Sequence, residues 1–312
     1  MKCDLHVHTA HSGMCTIPLL RRVCRESYTD PETLYQTLKR RGMDLVTVTD
    51  HDSVGSAEVL RRYPDCFVSV EVTCTAPSGT ELHVGVYDVT ERQHIELQRR
   101  RNDLAALVAY TEEQDLLACV NHAFSGLTGA RKLDDYAVFA NLFRGAEVRN
   151  GALPHRTNDK ASIWAGELGM WGIGGSDAHT MRGAGRTYTE VPAARNKEEF
   201  LAGIRAGLSR AQGESGSWSK LTRDVLGVGT SMALANPLTL PLAPLGLIAP
   251  LVTAANYVYE MAFAATWMKR VAHSYRIAWS GSALEARTAG PAHASRAANT
   301  STPEATTMVA GS

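Results

Sequence analysis

Asp4-Leu5-His6-Val7-His8 lies in an apolar run beside the N-terminus. Side chains alternate along a strand, so His6 and His8 share one face and Leu5 and Val7 the other. Two imidazoles one pleat apart can reach a single ion, and neutral imidazole ligates zinc, iron and manganese. The same pair also suits two histidines on a wet strand face. The sequence downstream separates the two readings.

Beyond a long loop from Thr9 to Ser27, Asp30-Pro31-Glu32 opens a helix, with Leu34 and Leu38 on one face and Gly42 as its stop. Leu45–Thr49 is a β-branched strand that delivers Asp50-His51-Asp52. A short helix through Val59 and Leu60 follows. Strands are predicted at 67–72, carrying Glu71, at 81–87, carrying His83, and at 117–122, ending in Asn121-His122. Residues 90–114 read as one helix. Further strands fall at 146–150 and at 172–179, the latter ending in Ser176-Asp177-Ala178-His179, with a helix through 160–168 between them. A short strand at 187–191 and a helix at 196–206 close the series.

Strands alternating with helices predict an α/β fold with a mostly parallel sheet. About seven such units suit a closed or distorted barrel, a (β/α)7 arrangement, which gathers the loops after its strands at one mouth. Polar residues collect at those positions: His6, His8, His51, Glu71, His83, His122, Asp177 and His179 all lie late in an apolar run or just after one. Singly each has a plainer explanation. Asp50 and Asp52 favour turns, Glu71 fits an outward strand position, and lone histidines are often structural. Together they describe a multinuclear site of nitrogen and oxygen ligands.

The order His-x-His, Thr-Asp-His, strand glutamate, strand histidine, Asn-His and Ser-Asp-Ala-His resembles the PHP family, the polymerase and histidinol phosphatase domain, over about residues 2–207. Glu147-Val148-Arg149-Asn150-Gly151 and Gly174-Gly175-Ser176-Asp177-Ala178-His179 are similar to its late motifs. The resemblance implies a distorted seven-stranded barrel, two or three divalent ions (Zn, Mn or Fe) and hydrolysis of phosphoester bonds. It implies that His6, His8 and Asp177 share one ion and that Glu71 bridges to a second held by His83 and His122. A third would take His51, His179 and a loop residue. Relatives carry an acid or a histidine in that loop, whereas here His11-Ser12-Gly13-Met14 stands there, with His11 the nearest substitute.

Two or three divalent ions would neutralise an anionic phosphoester, supply hydroxide near neutral pH and stabilise the leaving oxygen. Asp177, His179 and His51 are the catalytic candidates, either histidine able to protonate the leaving group if the third metal is absent. Arg149, Arg182 and Arg186 follow late strands, where a guanidinium can clamp phosphate; Arg131 and Lys132 are weaker candidates. The expected substrate is a small phosphorylated molecule, a nucleotide or short oligonucleotide among the options, and no protein partner is inferred. Amide hydrolysis on a similar barrel ranks low, for want of a lysine placed to be carboxylated.

Lys+Arg and Asp+Glu are both 32 in a chain of 312 residues, so no global field draws in nucleic acid and anion binding has to be local. The six cysteines form no C-x-x-C pair, which with the absence of a cleavable leader predicts a reducing, cytoplasmic setting. Residues 208–222 read as a linker. The 44 residues from Val225 to Met268 carry one charge, Glu260, and predict an apolar helical hairpin over 223–276. Basic residues on both flanks favour insertion from the cytoplasmic face of a membrane. Asn236, Asn256 and Glu260, costly in lipid, favour packing on the barrel. A membrane-tethered PHP module with a regulatory or binding role and weakened catalysis is therefore the alternative to an enzyme. Residues 277–312 read as a mostly disordered tail.

Overall fold

The computed structural model describes residues 1–18, 20–129 and 131–266; the expected tail and the end of the expected hairpin lie outside these. Met1–Trp267 forms one compact unit. The elements run β1 (Lys2–Cys3), α1 (Pro31–Arg40), α2 (Gly55–Leu60), β2 (Ser69–Thr75), β3 (Glu81–Tyr87), α3 (Glu91–Arg100), α4 (Leu104–Glu113), β4 (Leu117–Val120), α5 (Leu133–Leu142) and β5 (Gly145–Asn150). They continue with α6 (His155–Glu167), β6 (Trp171–Gly175), β7 (Thr187–Glu190), α7 (Lys197–Arg205), β8 (Arg210–Gly213) and α8 (Trp218–Ala235). A 3₁₀ helix at Pro237–Leu247 and α9 (Ala249–Thr266) complete the described chain.

The expected α/β character is present, but the sheet is mixed and does not close into a regular seven-stranded barrel. Five strands pair in the order β2-β3-β4-β5-β6 and three in the order β1-β7-β8. The β2, β3 and β4 pairings are antiparallel, while β4, β5 and β6 run parallel. A reason lies in the connection at residues 76–80, where Gly79 takes φ +84. It makes a tight turn, and a parallel crossover needs a dozen or more residues.

The strand expected at 45–49 contributes isolated bridges instead of a ladder. Hydroxyls supply some of its rungs beside backbone bonds such as Thr49 N to the Val7 carbonyl at 3.0 Å: Thr49 Oγ1 accepts from Val7 N at 3.0 Å and Thr47 Oγ1 donates to the Phe67 carbonyl at 2.8 Å. The helix expected over 90–114 breaks in two because Asp103 accepts from Ala106 N and caps a new start. Residues 208–222, expected as a linker, hold β8, paired antiparallel with β7, and the capped start of α8 at Ser217.

Two apolar clusters hold the frame. One gathers Cys3, Leu5, Tyr87, Cys119, Ile173 and Phe200. The other gathers Val7, Leu34, Leu38, Val46, Val48 and Ala178. Leu5 and Val7 thus enter the core, which turns His6 and His8 the opposite way.

The apolar C-terminal segment packs on the strand-end loops. Glu260, 1 % exposed, accepts from Gly126 N at 3.0 Å. Tyr259 and Phe263 close over Gly126 so tightly that an added Cβ would lie 2.6 Å from the Tyr259 ring. Thr222 and Thr253 bond across α8 and α9 at 2.7 Å, and Trp218 Nε1 donates to the Pro250 carbonyl at 2.8 Å. Asn236 caps the 3₁₀ helix. Among the described residues no single helix is long and apolar enough to cross a membrane. The 3₁₀ helix and α9 meet that test only as a pair, bent by 63°.

Candidate metal centre

The fold brings together His6, His8, His51, Glu71, His83, His122, Asp177 and His179. Backbone bonds tie the first stretch to the last: Asp177 N donates to the His6 carbonyl at 2.6 Å and His8 N to the Ala178 carbonyl at 3.1 Å. The Asp4 carboxylate fastens the same junction, accepting from Ser176 N at 2.8 Å and Gly185 N at 2.7 Å. A parallel bridge joins His51 to Glu71, and Asn121 N donates to the His83 carbonyl. His122 and Asp177 sit at φ 31 and φ 49, left-handed conformations that non-glycine residues adopt at some cost and that cluster at functional sites.

Glu71 occupies the middle, fully buried. Its Oε2 lies 3.1 Å from His6 Nε2 and 3.4 Å from both His8 Nε2 and His51 Nδ1. Its Oε1 lies 3.4 Å from His83 Nδ1 and 3.2 Å from His122 Nε2. Asp177 Oδ1 adds 3.6 Å to His6 Nε2 and 3.3 Å to His8 Nε2. Ligands at the zinc–nitrogen distance of about 2.0–2.1 Å around a tetrahedral ion stand roughly 3.3 Å from one another. The separations at Glu71 match that edge. His8 Nε2, His51 Nδ1 and Glu26 Oε2 are buried with no hydrogen-bond partner, a costly state for a polar atom that a cation would relieve. The residues present therefore fit divalent ions.

Charge divides the cluster: both acids are lowered, His6 and His83 are raised, and His8 and His51 are lowered. Burial alone would raise the Glu71 carboxyl, but His6, His51 and His83 outweigh it and hold it well below the usual carboxylate range. Asp177 is held down in the same way by His6, His8 and His179. Burial drives His51 well below its ordinary value, and burial with the neighbouring His179 lowers His8, leaving neutral rings. Burial opposes charge on His83, yet Glu71 and Glu81 lift it to about 10.

Several orienting groups had no assigned role in the sequence reading. Glu147 Oε1 lies 2.8 Å from His6 Nδ1, which leaves Nε2 facing Glu71. Glu147 also accepts from His122 N and from Asn150 Nδ2, and Asn150 donates on to Asp177. Ser12 Oγ lies 2.9 Å from His8 Nδ1 and donates to Asp50 at the same distance. Asn121 donates to Glu71 Oε1 at 2.9 Å.

Glu26 is the site residue that the sequence reading missed. Its Oε2 stands 3.3 Å from His51 Nε2, and burial pushes its carboxyl up to about 7, with His179 opposing. It occupies the corner near His51 and His179, where the loop residue was expected. His11 is exposed, its ring against Gly55. The loop doubles back through a Met14–Arg25 bridge, which carries residue 26 to the neighbourhood of residue 12. An acid that far along a loop gives no local signal.

The arginines are held elsewhere. Arg149 donates to the Gly213 carbonyl on β8, and Arg186 pairs with Glu214 at 3.0 Å. Arg182 is exposed. Arg131 is buried, donating to the Glu81 carbonyl and to Thr128.

Residues 155–208, covering α6, β6, β7 and α7, match the family model described as PHP-associated. The chain is 33% identical over 166 residues to the uncharacterised protein MJ1587 of Methanocaldococcus jannaschii, spanning 49% of this chain and 90% of that protein. The chain belongs to the PHP family. Among solved structures, PsfC from Pseudomonas syringae superposes with a TM-score of 0.51 at 18% identity, covering 75% of this chain and 98% of that one. The lesion-specific endonuclease PfuEndoQ from Pyrococcus furiosus gives a TM-score of 0.45 at 17% identity, covering 67% and 57%.

Proposed function

We propose that this protein is a metal-dependent phosphoesterase whose water-activating centre is built on Glu71. One observation carries the reading: the two oxygens of a single buried carboxylate face two separate sets of imidazoles, with His6, His8 and His51 on one side and His83 and His122 on the other. A carboxylate so divided suits two divalent ions side by side, and such a pair neutralises an anionic ester and lowers the pKa of bound water.

The chain's own residues do the rest. Glu147 fixes the His6 ring, Ser12 fixes His8, and Asn150 fixes Asp177. His179, the most exposed ring of the cluster at 30 %, stacks on His8 at 4.4 Å and, when no third ion holds it, is the group available to hand a proton to a leaving oxygen. Glu26 supplies an acid at the loop position where His11-Ser12-Gly13-Met14 lacks one. Its presence supports the catalytic reading over a binding module with weakened chemistry. Glu260 accepts from Gly126 N outside the segment, which supports packing of 225–266 on the site loops over insertion.

The substrate class is a small phosphoester. Purified protein saturated with Zn, Mn or Fe should carry at least two ions per chain by elemental analysis, and should cleave members of a panel of phosphomonoesters, nucleotides and short oligonucleotides. Glu71→Gln should lower turnover at least about 100-fold, as expected for loss of a preorganised charge, while circular dichroism stays unchanged. One ion or none in the saturated protein, or near wild-type turnover by Glu71→Gln, would overturn the reading.

A further inference from the structure

Cys15 and Cys24 face each other across the loop that carries Glu26. Met14 and Arg25 form an antiparallel bridge, Cys15 N donates to the Cys24 carbonyl at 3.0 Å, and Glu26 N donates to the Gly13 carbonyl at 3.2 Å. The three pairs share one register about the Met14–Arg25 bridge, a minimal ladder in which one bond joins Cys15 to Cys24, the Cys24 N–H going to the Leu20 carbonyl. Residues opposite one another in antiparallel strands hold their Cα atoms about 4.5–5.5 Å apart, inside the range of roughly 4.4–6.8 Å that a disulfide spans. The two thiols are free. Cys15 is half-exposed, whereas Cys24 is buried at 5 %.

We propose that Cys15 and Cys24 form a reversible disulfide that fastens the Glu26 corner of the metal centre. Hydrogen peroxide is the oxidant that balances the step. Exposure makes Cys15 the attacking sulfur: it takes one peroxide oxygen, the O–O bond breaks, and hydroxide leaves as water after gaining a proton. Cys24 sulfur then attacks Cys15 sulfur. The S–S bond forms, the S–O bond breaks, and the second oxygen leaves as water with the proton of Cys24. Two thiols are oxidised and one peroxide is reduced to two waters.

The ladder meets the centre on both sides. Ser12, one residue before it, holds His8 and donates to Asp50, and Glu26, at its end, faces His51. A cross-link at 15–24 restrains both segments against local opening. Disulfide formation rests on the loop geometry alone; its effect on ion retention rests on the metal reading above.

The full chain, loaded with Mn or Zn and counted by elemental analysis, is treated with hydrogen peroxide and digested without reduction. Mass spectrometry should find the peptides of Cys15 and Cys24 joined, two hydrogens lighter than their sum, and separable by dithiothreitol. Release of ions to a chelator should slow by about threefold or more in the oxidised protein, as a constraint on loop opening predicts. Peroxide should leave that rate unchanged in Cys15→Ser. Both thiols remaining free, or Cys15 ending as a sulfinic acid, would overturn the proposal. So would a 15–24 link that leaves ion release unaltered. A protein that carries no ion before oxidant is added would instead count against the metal centre itself, and the peptide map still decides the disulfide.

Discussion

At the scale of single residues, the loop acid decides how the third corner behaves. Glu26 faces His51 from a half-buried position, and its carboxyl is pushed up to about 7. Without an ion the native state favours its protonated form. That contribution to stability is fully present below the ordinary value of 4.5 and is lost as pH rises through about 7. An ion must displace this proton. Its affinity at the Glu26 corner should therefore fall by about tenfold per pH unit below 7 and level off above it, because one proton leaves per ion bound. Titration calorimetry in buffers of different ionisation heat would read that proton directly. Glu26→Gln should lose one metal equivalent and this pH dependence, whereas His11→Ala should change neither, its exposed ring lying against Gly55. An unaltered ion count in Glu26→Gln would return that corner to His51 and His179 alone.

At the scale of elements, α8 and α9 pack on the loops that carry site residues. Glu260 accepts the Gly126 N–H in the loop that begins at His122, and Lys220 Nζ donates to the Gly151 carbonyl beside Asn150 at 2.6 Å. Thr180, next to His179, donates to Asp224 at 2.8 Å. Three loops that carry site residues are thus braced from the C-terminal segment. Glu260→Ala should cost about 1–3 kcal/mol, the penalty for leaving a buried N–H without its acceptor, read as a lowered midpoint in urea. A chain ending at Ser219 removes all three braces together with the cover of Phe263 over Gly126. It should hold fewer ions at the His83–His122 side than the full chain. Full ion content and unchanged stability in that truncation would show that the segment stands apart from the barrel.

At the scale of the molecule, what could be read from sequence follows from how far each signal reaches. His6 with His8, Asp177 with His179, and Glu71 each announce themselves within a few residues, as polar groups at the end of an apolar run. Their meeting follows once the strands are arranged around one mouth. Glu26 could not be read, because only the doubled-back ladder of residues 13–15 and 24–26 brings it near His51. Glu147 and Asn150 were visible as a motif, but their task of aiming His6 and Asp177 is a matter of hydrogen bonds between distant stretches. The mixed sheet departs from the parallel arrangement that strand–helix alternation predicts because no helix separates 67–72 from 81–87, and the turn near Gly79 reverses the chain there. Asn236 and Glu260 showed that the apolar segment had polar work to do, and only the fold says against which atoms.

The outer face of that segment has a practical consequence. Leu238, Leu247, Leu234 and Leu251 are 88 %, 84 %, 79 % and 74 % exposed, and Leu245, Ile248 and Val252 lie among them in sequence with about half their surface in water. Environment-sensitive fluorophores such as anilinonaphthalene sulfonate light up on apolar surface of this kind, which in most proteins appears only on partial unfolding. Here the native state should be bright before any heating. A dye-reported melting curve would start high and decline, and would suggest a damaged sample. Far-ultraviolet circular dichroism of the same sample should show a single sharp transition from a native α/β baseline. Replacing Leu238, Leu247 and Leu251 together by Gln should darken the starting signal and leave that transition in place.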